Sequence, residues 1–309
     1  MGRATREAFG EAIVRVGGDP RIVVLTGDLR DSTRTEEFAA KYPERFFEAG
    51  IAEHNMLGIA SGLALSGKIP WACSFSTFVA GRFEVIRMSV AYQDANVRIV
   101  GTHSGIGVGE DGYSQMSLED LAMLRTLPNM AVINPADGIE TERAVEYLVE
   151  HRGPAFLRLT RQGVEDVTPP DASFEFGKAV PLRNGTDVTI VATGAPVGEA
   201  VRAADALNDE GISALVLNVH TIQPLDEEAI LDAASGRTTV VTVEDHSVSG
   251  GLGGAVAEVL ASRGAHPPLH RVGMRTFGES GTPAELYAKY GLDAAGIGRA
   301  VREALDRAA

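Results

Sequence analysis

The sequence predicts an α/β protein built as two parallel-sheet, three-layer domains. Short apolar runs alternate with helix-patterned segments along the chain, which is the pattern of strands joined by crossover helices. A polar, proline-containing stretch cuts that alternation into two series, which predicts two domains rather than one large sheet. With 309 residues, 44% of them hydrophobic, the chain can fill a core in each.

The first series opens with a helix over 4–16. RIVVLTGD (21–28) then reads as a buried parallel strand ending in a turn. DSTRTEEFAAKYPERF is a polar loop and a short helix that stops near Pro43, FFEAGI a second strand, and KIPWACSF a third. STFVAGRFEVIRMSVAYQD reads as one amphipathic helix. VRIVGTHSGIGVGEDGYSQ is a strand that opens into a glycine-rich loop. Helix, strand, helix and strand follow in LEDLAMLRTLP, MAVINPAD, GIETERAVEYLVEH and PAFLRLTR. The expected spans are a first domain over 1–165, a linker over 166–185 and a second domain over 186–309. In the second, strands are expected at TDVTIVATG, ISALVLNVHTIQP, TTVVTVEDH and PPLHRVGM, with helices between them and two helices at the end.

Composition excludes several classes. A net charge of -14 disfavours a non-specific nucleic-acid or anionic-membrane binder. Cys73 is the only cysteine, so an intramolecular disulfide or an all-cysteine metal site is impossible, and its apolar surroundings mark it as a core residue. No apolar run approaches the roughly 20 residues that span a bilayer. The opening MGRATREAFG has no apolar signal core, and Arg6 stands where a myristoylation signal needs Ser or Thr. A cytoplasmic location is the expectation.

In open parallel sheets ligands bind beyond the carboxyl ends of the strands. Asp28, Glu53, Ser74, His103 and Arg161 all fall there. Glu53 begins a helix rich in small residues (Gly58, Ala60, Ser61, Gly62, Ala64), which implies close approach of another backbone, because glycine lowers helix propensity. The loop THSGIGVGEDGYSQ (102–115) holds four glycines, a histidine and two adjacent acids. It fits neither a Walker phosphate loop nor a dinucleotide fingerprint. GGLGG (250–254) reads as tight packing or as a helix N-terminus suited to an anion. His246, just before it, reads as structural.

GIAEHNMLGIASGLALSGKIPWACSFSTFVAGRFEVIRM, GTHSGIGVGEDG, MLRTLPNMAVINPAD and PAFLRLTRQ occur in the order and spacing of the transketolase family. The chain resembles its pyrimidine-binding domain followed by its C-terminal domain. The resemblance implies thiamine diphosphate as cofactor, with Mg²⁺ and the diphosphate held by a Gly-Asp-Gly motif that this sequence lacks. It therefore looks like the C-terminal subunit of a split transketolase, working with a diphosphate-binding partner, by family resemblance as a heterotetramer. Glu53 matches the glutamate that shares a proton with the cofactor's aminopyrimidine ring, a role that requires burial. Phe75 and Phe78 match aromatics lining that ring, and Asp28 an aspartate near the cofactor. Arg6, Ser32, His103 and Arg161 match sugar-phosphate contacts, and arginine forks suit phosphate oxygens. Asp111 matches an aspartate that reads a substrate hydroxyl.

Two positions depart from the family pattern. Gly81 replaces a tyrosine of the aromatic wall, and Gln115 replaces a histidine, which removes a titratable group and puts ordinary pentose-phosphate specificity in doubt. His54, beside Glu53, is a further candidate neighbour of the site. The expected reaction passes a two-carbon ketol unit from a ketose phosphate to an aldehyde. The rivals are the beta subunit of a 2-oxo acid dehydrogenase, a deoxyxylulose-phosphate-synthase-like enzyme, and a non-catalytic subunit that retains the fold.

Overall fold

The structure, a computed structural model, describes residues 2–264 and 266–308. The first series forms α1 (Thr5–Val16), β1 (Ile22–Thr26), α2 (Glu36–Lys41), β2 (Phe46–Glu48), α3 (Glu53–Leu65), β3 (Ile69–Phe75), α4 (Ser76–Ala80), α5 (Phe83–Val85), β4 (Arg98–Thr102), α6 (Asp120–Leu124), β5 (Ala131–Ile133), α7 (Gly138–Glu150) and β6 (Ala155–Arg158). The second forms β7 (Val180–Arg183), β8 (Val188–Thr193), α8 (Val197–Asp209), β9 (Ala214–Asn218), β10 (Thr221–Gln223), α9 (Glu227–Ala234), β11 (Thr239–Ser247), α10 (Leu252–Ser262), β12 (Leu269–Met274), α11 (Pro283–Tyr290) and α12 (Ala294–Ala308).

One sheet runs β10-β5-β6-β4-β3-β1-β2 and the other β12-β11-β8-β9-β7. All pairings are parallel except those of the edge strands β10 and β7. Strands β1, β3, β4 and β8 are buried at every position, which is why their sequences are predominantly apolar rather than alternating. From β1 the chain steps to β2 on one side and returns to β3 on the other. The carboxyl ends of β1 and β3 thus flank a topological switch point, where such sheets open a binding crevice.

Three expectations need correction. Residues 76–94 are not one helix. The segment breaks after Ala80 at Gly81–Arg82 and ends in a π-helical turn, Ile86–Ala91. The run ISALVLNVHTIQP is two strands rather than one. β9 lies in the second sheet, the chain turns at Val219–His220, and β10 adds antiparallel to β5 in the first sheet. Apolar content hides that corner, because both strands are buried. Part of 186–309 is therefore built into the first sheet, and one apolar cluster runs from Val23 and Met56 through Leu217, Val219 and Ile222 to Val256. The stretch expected as linker also carries β7, an edge strand on the second sheet.

Helix α3 buries Met56, Leu57, Ala60 and Ser61, but Gly58, Ile59 and Gly62 face outward, and a Cβ on either glycine would meet nothing within 4 Å. The close approach implied by those small residues is therefore not made by this chain. Ile51, Met88 and Tyr92 are also exposed, Met88 on the π-helical turn that packs beside α3 and Tyr92 just after it. No helix among the described residues is long and apolar enough to cross a membrane.

Candidate functional site

The candidate site at the switch point is built from residues at or just beyond the carboxyl ends of β1, β3 and β4 and from the start of α3. Glu53 opens α3 and is 6% exposed, and Ser74 at the end of β3 donates to its Oε1 at 3.0 Å. Among the described residues no second side chain hydrogen-bonds Glu53, so Oε2 is left for another donor. Gly27, after β1, lies close enough that a Cβ there would sit 3.3 Å from Oε1. Any side chain at 27 would press on the carboxylate.

Phe75 continues β3 and stacks on His103, with centroids 3.7 Å apart and planes at 20°. It also stacks on Phe78, at 5.5 Å and 8°. The rings of His103, Phe75 and Phe78 thus pack together one residue after Ser74, the partner of Glu53. His103 adopts φ 55, a left-handed conformation uncommon outside glycine, which turns its ring into the crevice. Its Nε2 lies 3.0 Å from Arg6 Nη1, which can only donate, so Nδ1 carries the proton and donates to Thr102 Oγ1 at 3.0 Å. Thr102 in turn donates to the Ser74 carbonyl at 3.3 Å. These bonds tie Arg6, His103 and Thr102 to the Ser74 backbone, whereas the bond to Glu53 is a separate one made by the Ser74 hydroxyl.

The cationic end gathers around Arg6, which donates to the Ser32 carbonyl at 3.1 Å. Burial, with Arg34 and Arg161 nearby, lowers the Arg6 pKa to about 10. Burial and the cations Arg6, Arg161 and Arg34 push His103 down to about 3, so it is neutral at physiological pH. Arg161 donates to Val108 O at 2.8 Å and to Asp111 Oδ2 at 3.0 Å. Three carboxylates accompany these guanidiniums, Glu7 and Glu36 on Arg34 and Asp111 on Arg161, but Arg6 forms no ion pair among the described residues, which leaves its charge available to an anion. Arg34 also donates to Glu7 at 3.3 Å. It sits in the polar loop after β1 at φ 60, and sequence reasoning passed over it because nothing in DSTRT distinguishes it from a solvated residue.

Arg6, His103, Asp111 and Arg161 thus converge, with Ser32 joined to them through its backbone carbonyl, and Glu53, Phe75 and Phe78 lie at the ends of neighbouring elements. Asp28 and Gln115 join neither group. Asp28 is exposed on the rim at φ 64, with its N–H donated to Glu48 at 2.7 Å. The Gln115 side chain reaches only Ser114 Oγ, at 3.4 Å. Exposed His54 pairs with exposed Glu84 at 3.2 Å. The glycine-rich turn at 250–254 does face an anion, but an internal one: the Glu244 carboxylate takes the N–H groups of Leu252 and Gly253 at 2.8 and 2.9 Å. His246 is fully buried, between Glu244 and Asp120.

The buried groups predict a pH profile of stability. Burial lowers His103 to about 3 and His151, His220 and His246 to about 4, so below pH 6.5 the unfolded chain binds more protons than the fold, and stability falls as pH drops. Burial raises Glu140 to about 8 and Glu244 to about 7. Their contribution is present below the unfolded value of 4.5 and is lost as pH rises through 7 to 8. Thermal melts across pH should therefore peak at roughly pH 6 to 7 and decline on both sides. A melting temperature that is flat from pH 4 to 9 would contradict this assignment.

Comparison with known proteins comes to the same place. The family description "Transketolase, pyrimidine binding domain" matches residues 1–166, and "Transketolase, C-terminal domain" matches 177–297. A Methanocaldococcus jannaschii protein named "Putative transketolase C-terminal section" is 46% identical, over 99% of this chain and 97% of its own. A 6-deoxy-6-sulfo-D-fructose transketolase subunit from Clostridium sp. (strain MSTE9) is 43% identical, over 94% and 90%. A solved structure described as a split gene transketolase, inactive beta4 tetramer, superposes with a TM-score of 0.91 at 46% identity and 99% coverage of both chains.

Proposed function

The chain belongs to the transketolase family, and from that premise we propose that it is one subunit of a two-component, thiamine-diphosphate-dependent transketolase. The reaction is transfer of a two-carbon ketol unit from a ketose phosphate to an aldehyde-type acceptor. The observation that carries this reading is the buried Glu53–Ser74 pair, followed in the chain by Phe75, whose ring stacks on the His103 that meets Arg6. Relatives above 40% identity bear transketolase names, which favours this reading over the dehydrogenase, the synthase and the non-catalytic subunit.

The residues present fit the pyrimidine end of thiamine diphosphate. When bound, the cofactor supplies the carbon nucleophile that accepts and releases the ketol unit. Glu53 would share a proton with a ring nitrogen, while Ser74 holds its Oε1. Phe75 and Phe78, which pack on each other, would wall the ring and exclude water. Arg6, Arg34, Arg161 and neutral His103 hold the anionic end of the ketose, and Asp111 accepts from a hydroxyl. Phosphate and sulfonate are both tetrahedral-type oxyanions that arginine forks recognise. The sulfosugar in the name of the Clostridium relative suits the same cluster.

In this reading Mg²⁺ and the diphosphate lie on the partner subunit. Among the described residues no group of three or more His, Cys, Asp or Glu side chains is placed to hold a metal ion. The partner docks on the outer face of α3, next to Glu53, where Gly58 and Gly62 leave space for a backbone and Ile59, Met88 and Tyr92 are exposed. Two copies of each chain form a heterotetramer in the cytoplasm. The near-complete coverage of the M. jannaschii and Clostridium relatives supports a separate subunit, and the relative described as an inactive beta4 tetramer supports lack of turnover without a partner.

Assembly tests the docking face. Mixed with a partner that carries Gly-Asp-Gly, the chain should elute as a complex of two copies each. Gly62→Leu should leave the isolated chain folded, since the site is open and leucine is the better helix former, yet weaken assembly at least about 10-fold. Undiminished assembly of this variant, measured by native mass spectrometry, would place the partner elsewhere.

A further inference from the structure

We propose that Asp245 and Tyr287, on the second sheet and its helix α11, are positioning residues that set the glycine-rich substrate loop. This assigns to the C-terminal domain control of affinity for the ketose. The inference rests on the reading of the Arg6–Arg161 cluster as a ketose-phosphate site.

The geometry is a carboxylate seated under the loop backbone. Asp245, near the end of β11, accepts the N–H of Ile106 at 2.8 Å and of Gly107 at 3.3 Å. The Tyr287 hydroxyl donates to Asp245 Oδ2 at 2.9 Å. Two successive backbone N–H groups aimed at one carboxylate form an anion nest, here filled from another part of the fold. The approach requires glycine: at Gly105, φ 76, a Cβ would fall 2.1 Å from Asp245 Oδ2. The Asp245 main chain is fixed as well, because Arg158 donates to its carbonyl at 2.9 Å while forming a buried ion pair with Asp120 at 2.9 Å. Burial pushes the Asp245 carboxyl up, and Arg158 and the loop N–H groups oppose that shift.

What the loop carries makes this contact functional. Arg161 is braced by Val108 O and by Asp111, both on the loop that Asp245 holds. Gln162, the residue after Arg161, lies against Gly107, where a Cβ would meet its amide at 2.6 Å. Moving the loop therefore moves a cation that meets the anionic end and a carboxylate that meets a hydroxyl. Glu53 is held separately, by Ser74. Release of the loop should weaken ketose binding and leave the pyrimidine end untouched.

The test uses the assembled two-subunit complex with xylulose 5-phosphate as donor and ribose 5-phosphate as acceptor. Tyr287→Phe should raise KM for the donor about 3- to 10-fold, and Asp245→Asn, which sets an amide against a loop N–H, about 10-fold or more. Affinity for thiamine diphosphate and kcat should stay within about twofold. Tyr290→Phe, on the same helix with an exposed hydroxyl bonded to Glu279, is the control and should change nothing. Amide exchange by mass spectrometry should quicken at 104–112 in Tyr287→Phe. Donor KM within twofold of the wild type in both variants, whatever happens to the melting temperature, overturns the proposal. If the wild-type complex shows no ketol transfer, the functional reading fails by itself, and unchanged exchange at 104–112 would then overturn the loop assignment.

Discussion

Glu53→Gln in the assembled complex is expected to lower ketol-transfer turnover by about 1,000-fold with little change in stability or assembly. The carboxylate is buried, and one oxygen is committed to Ser74. Glutamine fills the same volume and can still accept from Ser74, so the fold has no reason to respond. Its amide, however, cannot hold a proton in exchange with a ring nitrogen. Ser74→Ala separates the two jobs of this pair. It removes only the orienting bond and should cost about 10-fold, in line with a single lost hydrogen bond to a charged group. A Glu53→Gln complex that retains more than a tenth of wild-type turnover, measured in single-turnover ketol transfer, would remove Glu53 from the chemistry.

The second large effect is expected at the arginines. Arg161→Ala and Arg6→Ala should each raise KM for a ketose phosphate by about 10- to 100-fold, as expected when a charge-assisted contact worth roughly 1.5–3 kcal/mol is lost. Because such contacts act on substrate and transition state alike, kcat should change far less. Arg161→Lys should not restore affinity, since an ammonium cannot reach Val108 O, Asp111 and an anion with one rigid fork. A donor without a charged group isolates the effect: the wild type and both variants should handle it equally poorly. If the variants lose affinity equally for charged and uncharged ketoses, the cluster supports the fold rather than reading the anion.

The sequence made the alternation of strands and helices legible because the central strands are buried on both faces and so appear as predominantly apolar runs. The same burial concealed the corner at Val219–His220, where two strands of different sheets read as one. Residues 76–94 misled for another reason: helical periodicity survives a short break, and Gly81 alone was too weak a signal. In the site, Glu53 and His103 stood out because a carboxylate before a small-residue helix and a histidine before a glycine-rich loop are unusual neighbours. The small residues of α3 were visible in the sequence, but not that Gly58 and Gly62 face away from the chain. Arg34 and the Asp245–Tyr287 contact were hidden because their meaning lies in long-range partners. No local pattern reveals a carboxylate of β11 placed under the backbone of a loop after β4.

The most direct test of the account is a ketol-transfer assay with thiamine diphosphate, Mg²⁺ and a ketose phosphate, run on this chain alone, on a Gly-Asp-Gly-bearing partner alone, and on the two mixed. Turnover in the mixture only, rising to a plateau at equal subunit amounts and abolished when this chain carries Glu53→Gln, is the predicted result. Turnover by this chain in the absence of any partner, or by the mixture regardless of Glu53, would contradict it.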